Sequence, residues 1–356
     1  MAKKPEISVL IAAYNRENYI ATALKSILNQ TKTDFEVIVV DDGSTDSTMS
    51  VVQSYPDPRI RLIRNERNLG IPRTRNRGLE AARGQYFAIL DSDDYALPHR
   101  LARQAAFLGA NPDIAEVGAW GGWMDATGRM NSKVKQQPLT DGAIRTQLLF
   151  TCCINNRSLM ARTEVLRQFG YPTDFTLSSD YELHRKVVRE HKVANLPEVL
   201  VVGRAHNAQA TKINTKLQRM TTRAVVRNLL QDIGLSVSET DLDRHLALWK
   251  PHTENVPHDL DFLAWSWDWI DVLRDAIPAH YREIDRILGR ICLANLWRAW
   301  SNGHIPKKRI LSHWNSHLAL MGISEYGRRA LAKRRSRADL FKHTDPSLQL
   351  SAESDR

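Results

Sequence analysis

Four short apolar runs in the first ninety residues, the first three each followed by a polar break and a stretch of helical spacing, constrain the fold of this chain more than any other feature. The first, Ile7-Ser8-Val9-Leu10-Ile11-Ala12-Ala13, is β-branched and nearly continuous in apolar content, the pattern of a parallel strand covered on both faces. Tyr14-Asn15-Arg16 ends it, and Ile20, Leu24, Ile27 and Leu28 then recur at helical spacing. Phe35-Glu36-Val37-Ile38-Val39-Val40 reads as a second strand. It ends in Asp41-Asp42-Gly43-Ser44-Thr45-Asp46, where Ser44 or Thr45 is placed to cap a helix through Met49, Val51 and Val52. Residues 59–64 alternate as a shorter strand, and residues 72–83 form a helix with Arg73, Arg75 and Arg77 on its leading edge. Gly84 stops that helix before the fourth run, Tyr86-Phe87-Ala88-Ile89-Leu90. Strands alternating with helices predict an α/β domain with an open, doubly wound sheet, in which ligands bind beyond the carboxyl ends of the strands. Ala12 to Asn15, Asp41-Asp42 and Asp91-Ser92-Asp93-Asp94 all fall at that edge.

The last of these groups carries its own chemistry. Packed carboxylates repel one another, and such a cluster in a crevice points to a cation. A hard divalent ion, Mg²⁺ or Mn²⁺, takes one or two carboxylates and completes its shell with waters and substrate phosphates, so a nucleotide diphosphate is the natural cargo. A solvated acidic turn is the plainer alternative for an isolated cluster of this kind.

Taken together, Ile7 to Asn15, Val39-Val40-Asp41-Asp42-Gly43-Ser44, Asn68-Leu69-Gly70 with Thr74-Arg75-Asn76-Arg77-Gly78, and Asp91-Ser92-Asp93-Asp94 resemble the inverting family 2 glycosyltransferases of the GT-A fold. The resemblance implies a GT-A doubly wound, mixed but mostly parallel sheet, Rossmann-like, that binds a nucleotide-diphospho-sugar. It implies that Asp42 recognises the base, with Ala12 and Tyr14 lining that pocket. Arg75 is expected on the base or phosphate side, Asp91 and Ser92 at the nucleotide, and Asp93 on the metal. Further along, Met160-Ala161-Arg162 and Val165 to Tyr171 resemble the segment before the family's catalytic acid, which makes Asp180 in Ser178-Ser179-Asp180-Tyr181-Glu182-Leu183 the expected base. The family more often has an acidic residue where Ser179 stands. Val199 to Val202 and Gly203-Arg204-Ala205-His206 match the family's last strand and Arg-x-His loop, with His206 as a further metal ligand. Trp120 or Trp123, in a strand from Ile114 to Trp123, is a candidate to stack on an acceptor sugar, with buried packing the equal alternative for either.

From Asn214 the period becomes helical and stays so. Val225, Val226, Leu229, Leu230 and Ile233 mark one face, and Ile284, Ile287, Leu288 and Ile291 another. Trp265-Ser266-Trp267-Asp268-Trp269 alternates, but Asp261, Asp268, Asp271 and Asp275 share a helical face, which favours helix. The expected organisation is therefore a transferase domain over 1–213, with a donor half at 1–110 and an acceptor half at 111–213. A helical C-terminal domain follows over 214–335, and 336–356 is a polar, disordered tail.

The chain has 356 residues and a formal net charge of +10, which favours an anionic partner. Basic residues gather at Lys307-Lys308-Arg309, Arg328-Arg329 and Lys333-Arg334-Arg335, a pattern suited to reversible contact with an anionic membrane. Cys152, Cys153 and Cys292 make neither a disulfide framework nor a paired metal motif. With no apolar stretch long enough to span a bilayer, the expected setting is the cytoplasm, peripheral to the inner face of the membrane. The expected activity is metal-dependent transfer of one sugar, with inversion, from a UDP- or dTDP-sugar to a hydroxyl of a saccharide or lipid-linked saccharide in bacterial O-antigen, capsule or other surface-glycan assembly. Homo-oligomers are compatible with the tryptophan-rich helices. A nucleotidyltransferase of related fold would carry a glycine-rich, lysine-containing loop where Ala12-Ala13-Tyr14-Asn15-Arg16 stands. Nucleic-acid binding would interleave aromatics with the basic runs, which these lack. A silent scaffold would not need every acidic position filled.

Overall fold

The computed structural model describes residues 4–205, 214–249, 259–277 and 284–301, with isolated positions at 323, 330 and 332. They form two compact units, one of residues 4–139, 154–205 and 214–221 and the other of 140–153 and the described residues from 222 onward. His206, the basic runs from 307 onward and the polar tail lie outside the described residues.

The first unit is built on a mixed sheet. Strands β1 (Ile7–Ala13), β2 (Phe35–Asp41), β3 (Ile60–Arg64) and β4 (Tyr86–Ile89) are parallel, in the order β3-β2-β1-β4. Between them run α1 (Ile20–Leu28), α2 (Thr48–Gln53) and α3 (Ile71–Ala81). The sheet continues through β5 (Tyr95–Ala96), β6 (Ile114–Met124), β7 (Met130–Lys135), β8 (Met160–Arg162) and β9 (Lys192–Arg204), in the order β4-β8-β6-β9-β5 with β7 on β6. Strand β8 runs antiparallel to both β4 and β6, whereas β6 and β9 are parallel. The doubly wound, mostly parallel sheet expected from the sequence is therefore present.

Burial explains the apolar runs. Val9, Leu10, Ile11, Val37, Ile38, Val39 and Val40 are fully enclosed, with helices covering both faces. The polar exceptions are satisfied. Ser8 donates to Glu36 at 2.7 Å and accepts from the Arg83 and Gly84 amides at 3.0 and 2.9 Å. Arg100, first residue of α4 (Arg100–Ala110), is wholly buried and donates to the carbonyls of Ile89 and Leu159 at 2.5 and 3.2 Å. It thereby ties α4 to the strand end that delivers Asp91.

Helix α2 begins at Thr48, later than expected, with Ser47 at its cap position. Ser44 does not cap it: its hydroxyl instead accepts the Asn15 amide at 3.0 Å. Three further helices complete this part of the chain: α5 (Asp141–Leu148), α6 (Thr163–Phe169) and α7 (Ser179–Glu190).

The second unit holds α5, the later turns of α8 (Thr215–Asp232), α9 (Glu239–Trp249), α10 (Leu260–Ala276) and α11 (Ile284–Ser301). Helix α10 confirms the helical reading of Trp265 to Trp269. The aromatics here pack on one another. His245 stacks on Phe150 at 4.6 Å, accepts from Trp269 Nε1 at 2.9 Å and places Nε2 2.7 Å from the Leu149 carbonyl. Burial pushes its imidazole down to about 4, so it sits neutral in the core.

Candidate active site

Three loops converge at the carboxyl edge of the parallel strands. The β1 and β2 loops are stitched together: besides the Asn15–Ser44 bond, Asn15 Oδ1 accepts from Thr45 N at 2.9 Å and Thr48 Oγ1 accepts from Arg16 N at 2.7 Å. Asn15 has φ 52, and the other non-glycine residue with positive φ among the described residues is Ser178, at φ 61 immediately before α7. Both therefore flank the segments that carry candidate site residues, where backbone strain tends to collect.

Asp42 is buried and accepts three bonds. Oδ1 takes Asn65 Nδ2 at 2.7 Å and Leu69 N at 2.8 Å, while Oδ2 takes Gly70 N at 3.0 Å. A carboxylate offers about four lone-pair positions, so one remains, on Oδ2. Asn65 in turn binds Thr74 at 3.2 Å and accepts from Arg77, which closes the loop onto α3. The sequence resemblance links Asn68-Leu69-Gly70 to Asp42 only by family order; the structure shows the backbone contact that joins them. Ala12 is half-buried at the end of β1, opposite Val40, and Tyr14 stands 41% exposed beside it.

The acidic loop divides by environment. Asp91 is half-buried and accepts from Arg75 Nη2 at 3.3 Å, with the Arg75 guanidinium 5.4 Å from the Tyr171 ring. Burial opposes the Arg75 charge, but Asp91, Tyr171 and Asp180 outweigh it and hold the guanidinium above its ordinary value. Arg75, Asp91 and Asp180 thus share one electrostatic neighbourhood although they come from three separate segments. Ser92 is buried. Asp93 is half-buried and lies 3.9 Å from Arg16 Nε. Asp94 is nearly closed off. It accepts Arg204 N at 2.9 Å and faces Arg157 Nη1 at 3.2 Å, while Arg204 Nε grips the Asp93 carbonyl at 3.1 Å. Burial, with Asp91 and Asp93 beside it, pushes the Asp94 carboxyl up to about 8 against the pull of Arg157.

Asp180 lies in the first turn of α7, half-buried, and among the described residues no hydrogen bond reaches its carboxylate. It does not cap the helix. Below it, Ser178 is held by Gln218 Nε2 at 2.6 Å and by Thr221 at 3.1 Å, so the first turns of α8 fix the entry to α7. Trp120 is no sugar platform: it is buried and its indole donates to the Gln137 carbonyl at 2.9 Å. Trp123 is half-buried with the Arg157 guanidinium 5.3 Å from its ring centroid.

Arg157 was not legible as a site residue. It sits in a short 3₁₀ turn, Asn156–Ser158, with nothing around it in sequence to mark it. Glu116 and His184 form a fully buried pair 2.9 Å apart, and although His184 follows Asp180 in the same run, no local pattern announces its partner on β6. Among the described residues no group of three His, Cys, Asp or Glu side chains is arranged to hold a metal by itself. Asp91 and Asp93 present only hard oxygen donors, which fits an ion that takes most of its ligands from phosphate and water.

Comparison with known proteins agrees with this geometry. The Glycosyl transferase family 2 model matches residues 8–168. An uncharacterised glycosyltransferase of Haemophilus influenzae is 33% identical over 252 residues, covering 67% of this chain and 78% of that protein. The Escherichia coli UDP-Glc:α-D-GlcNAc-diphosphoundecaprenol β-1,3-glucosyltransferase WfgD is 26% identical over 60% of this chain and 82% of its own length. Among solved structures, S. aureus TarS 1–349 in complex with UDP-GlcNAc superposes with a TM-score of 0.56 at 20% identity, covering 85% of this chain and 93% of that one, a likeness of fold. With its sheet order and these relatives, the chain belongs to glycosyl transferase family 2 and is a glycosyltransferase of the GT-A fold.

Proposed function

We propose that the protein moves one sugar from a UDP- or dTDP-sugar to a hydroxyl of a saccharide acceptor, with inversion, in the assembly of a bacterial surface glycan. The observation that carries the reading is the shared neighbourhood of Asp91, Arg75 and Asp180 at the sheet edge. It supports a reading in which Asp91 serves the nucleotide while Asp180, which no described residue reaches with a hydrogen bond, serves the acceptor beside it. In this reading residues 1–110 bind the donor and residues 111–213 build the acceptor side.

The remaining lone pair of Asp42 suits a base with a single imide N–H, such as uracil or thymine, better than guanine, whose paired donors ask for two acceptors. Ala12 and Tyr14 would line the same pocket. Asp180 would accept the acceptor proton as the hydroxyl attacks the anomeric carbon, a role that asks for about 2.6–3.2 Å between base and hydroxyl. Among the described residues nothing hydrogen-bonds its carboxylate, which leaves that proton-accepting capacity available. A bound Mg²⁺ or Mn²⁺ would supply Lewis-acid stabilisation to the departing diphosphate. Asp93 is the proposed ligand for it, with His206 as the proposed second protein ligand. WfgD, which by its name acts on a diphosphoundecaprenol-linked sugar, supports a lipid-linked acceptor for this chain as well. No described helix is long and apolar enough to cross a membrane, so the proposed contact with such an acceptor is peripheral.

The test is calorimetric binding of UDP, dTDP and GDP to wild type and Asp93→Ala, with Mn²⁺ and with chelator. Metal-dependent binding of UDP or dTDP that Asp93→Ala abolishes is expected. Preference for GDP, or no binding of any of the three, would overturn the donor assignment.

A further inference from the structure

Arg157 has a setting that neither its sequence surroundings nor the family match accounts for. Its turn lies just before β8, and its guanidinium reaches across to Asp94, immediately before β5, to Trp123 on β6 and to Gly203 on β9. The side chain is only 19% exposed, yet its one charged contact is Nη1 to Asp94 at 3.2 Å, and among the described residues no further hydrogen bond engages it. A guanidinium carries five N–H donors in a planar fork suited to phosphate and carboxylate oxygens. Most of that fork is therefore uncommitted. Gly203 makes the room: a Cβ built there would overlap the guanidinium, so a strand residue with no side chain is required opposite this cation.

The charge balance gives the cation a purpose. Asp91, Asp93, Asp94 and Asp180 all act on Arg157 and hold its guanidinium above its ordinary value against the cost of burial. A diphosphate entering this crevice meets those carboxylates and is repelled unless a cation lies among them. Pairing with Asp94 alone would need only one edge of the fork.

We propose that Arg157 is a ligand of the donor's diphosphate, using N–H groups not spent on Asp94 to bind the phosphoryl oxygens that leave during transfer. The assignment rests on the reading of this crevice as the nucleotide-sugar site. Trp123 holds the guanidinium plane, Asp94 holds one edge, and the opposite edge meets phosphate. As charge builds on the departing diphosphate, a fixed guanidinium in a largely dry site stabilises it without reorganising.

The experiment compares calorimetric affinities for UDP and for uridine, in Mg²⁺ and in chelator, across wild type, Arg157→Gln, Arg157→Gln/Asp94→Asn and Gly203→Ala. Thermal melts accompany each protein. Arg157→Gln is expected to weaken UDP by about tenfold to a hundredfold, the range for one charge-assisted contact, and to leave uridine unchanged. The double variant stays weak, because replacing the Asp94 carboxyl with an amide does not restore a phosphate ligand. Gly203→Ala keeps the guanidinium but displaces it, so its UDP affinity falls in the same direction with its fold intact. Wild-type UDP affinity in Arg157→Gln, or its recovery in the double variant, would show that Arg157 only neutralises Asp94. Failure of the wild type to bind UDP or dTDP at all would overturn the donor-site reading, and this assignment with it.

Discussion

His184 Nδ1 lies 2.9 Å from Glu116 Oε1, and both side chains are wholly withdrawn from solvent. His184 is one turn beyond Asp180 on α7 and Glu116 is on β6, so the pair pins the helix that carries the proposed base to the centre of the sheet. Burial alone would drive the imidazole neutral. Glu116 outweighs it, with Asp180 adding to the pull and Arg75 opposing it, and His184 titrates above its ordinary value of 6.5.

That shift fixes a sign. A histidine with a raised folded-state pKa binds its proton more tightly when folded, so its contribution is complete below the unfolded value and disappears as pH rises through the folded one. The melting temperature of the wild type is expected to fall from pH 6 upward more steeply than that of His184→Gln. Parallel slopes in the two proteins would exclude the pair as the source.

His245 works the other way. Its folded-state value is pushed down from 6.5 to about 4 by burial, so the folded state resists protonation, and stability is expected to be lost as pH falls between those values. The full effect is on the order of 3 kcal/mol. His245→Gln, although less stable at neutral pH, should show a shallower loss between pH 6.5 and 4 in thermal melts. An unchanged acid limb would place the titrating group elsewhere.

Asp180→Asn keeps the shape of the side chain and removes its basicity. Turnover is expected to drop by about 10² to 10⁴, while UDP affinity measured by calorimetry is retained. Equal losses in binding and turnover would instead make Asp180 part of the donor site.

For Asp42→Asn the expectation concerns selectivity. The amide would present an N–H to the base where the carboxylate had presented a lone pair, so uracil loses its acceptor while cytosine N3 gains a donor. UDP should weaken relative to CDP in competition binding. A uniform loss would mean that Asp42 acts only through the Leu69–Gly70 loop.

Gly43 has φ +74, and a Cβ there would lie 2.7 Å from the backbone carbon of Arg67. Both strain and collision oppose a side chain. Gly43→Ala is expected to cost about 1–3 kcal/mol in denaturant unfolding, with nucleotide affinity lowered because the Asp42 turn shifts. Wild-type stability would show that the neighbouring loop yields freely.

The parallel half of the sheet was readable because each of its strands is a local object: Ile7–Ala13 and Phe35–Val40 announce burial on both faces by composition alone. The acidic loop, Asp42 and Asp180 were readable for a related reason. They stand in short contiguous motifs, and a doubly wound sheet sends every strand end to the same edge. Ser44 and Thr45 both suit a helix cap by sequence, but a hydroxyl near a helix start has two uses, and only the adjacent β1 loop shows that Ser44 accepts the Asn15 amide instead. Trp120 is buried with its indole on the Gln137 carbonyl whereas Trp123 is half-buried beside Arg157, and the register irregularities of β6 at Trp120 and between Gly122 and Trp123 keep strand alternation alone from assigning either side chain.

The amino-acid sequence by itself determined the alternating strands and helices, the edge at which ligands gather and the identity of the acidic residues there, since each depends on hydrophobic period and local turn chemistry. What only the tertiary structure decided is the set of partners those acids meet. Strand β8 inserts antiparallel between β4 and β6, and by doing so brings Arg157 to Asp94 and Trp123 across separations that no local pattern encodes. Long-range packing likewise seats His184 on Glu116, and residues 140–153 group with helices from the last third of the chain. Helical and strand periods repeat within a few residues, whereas the choice of which buried charge faces which is made by sheet order, and sheet order is a property of the folded whole.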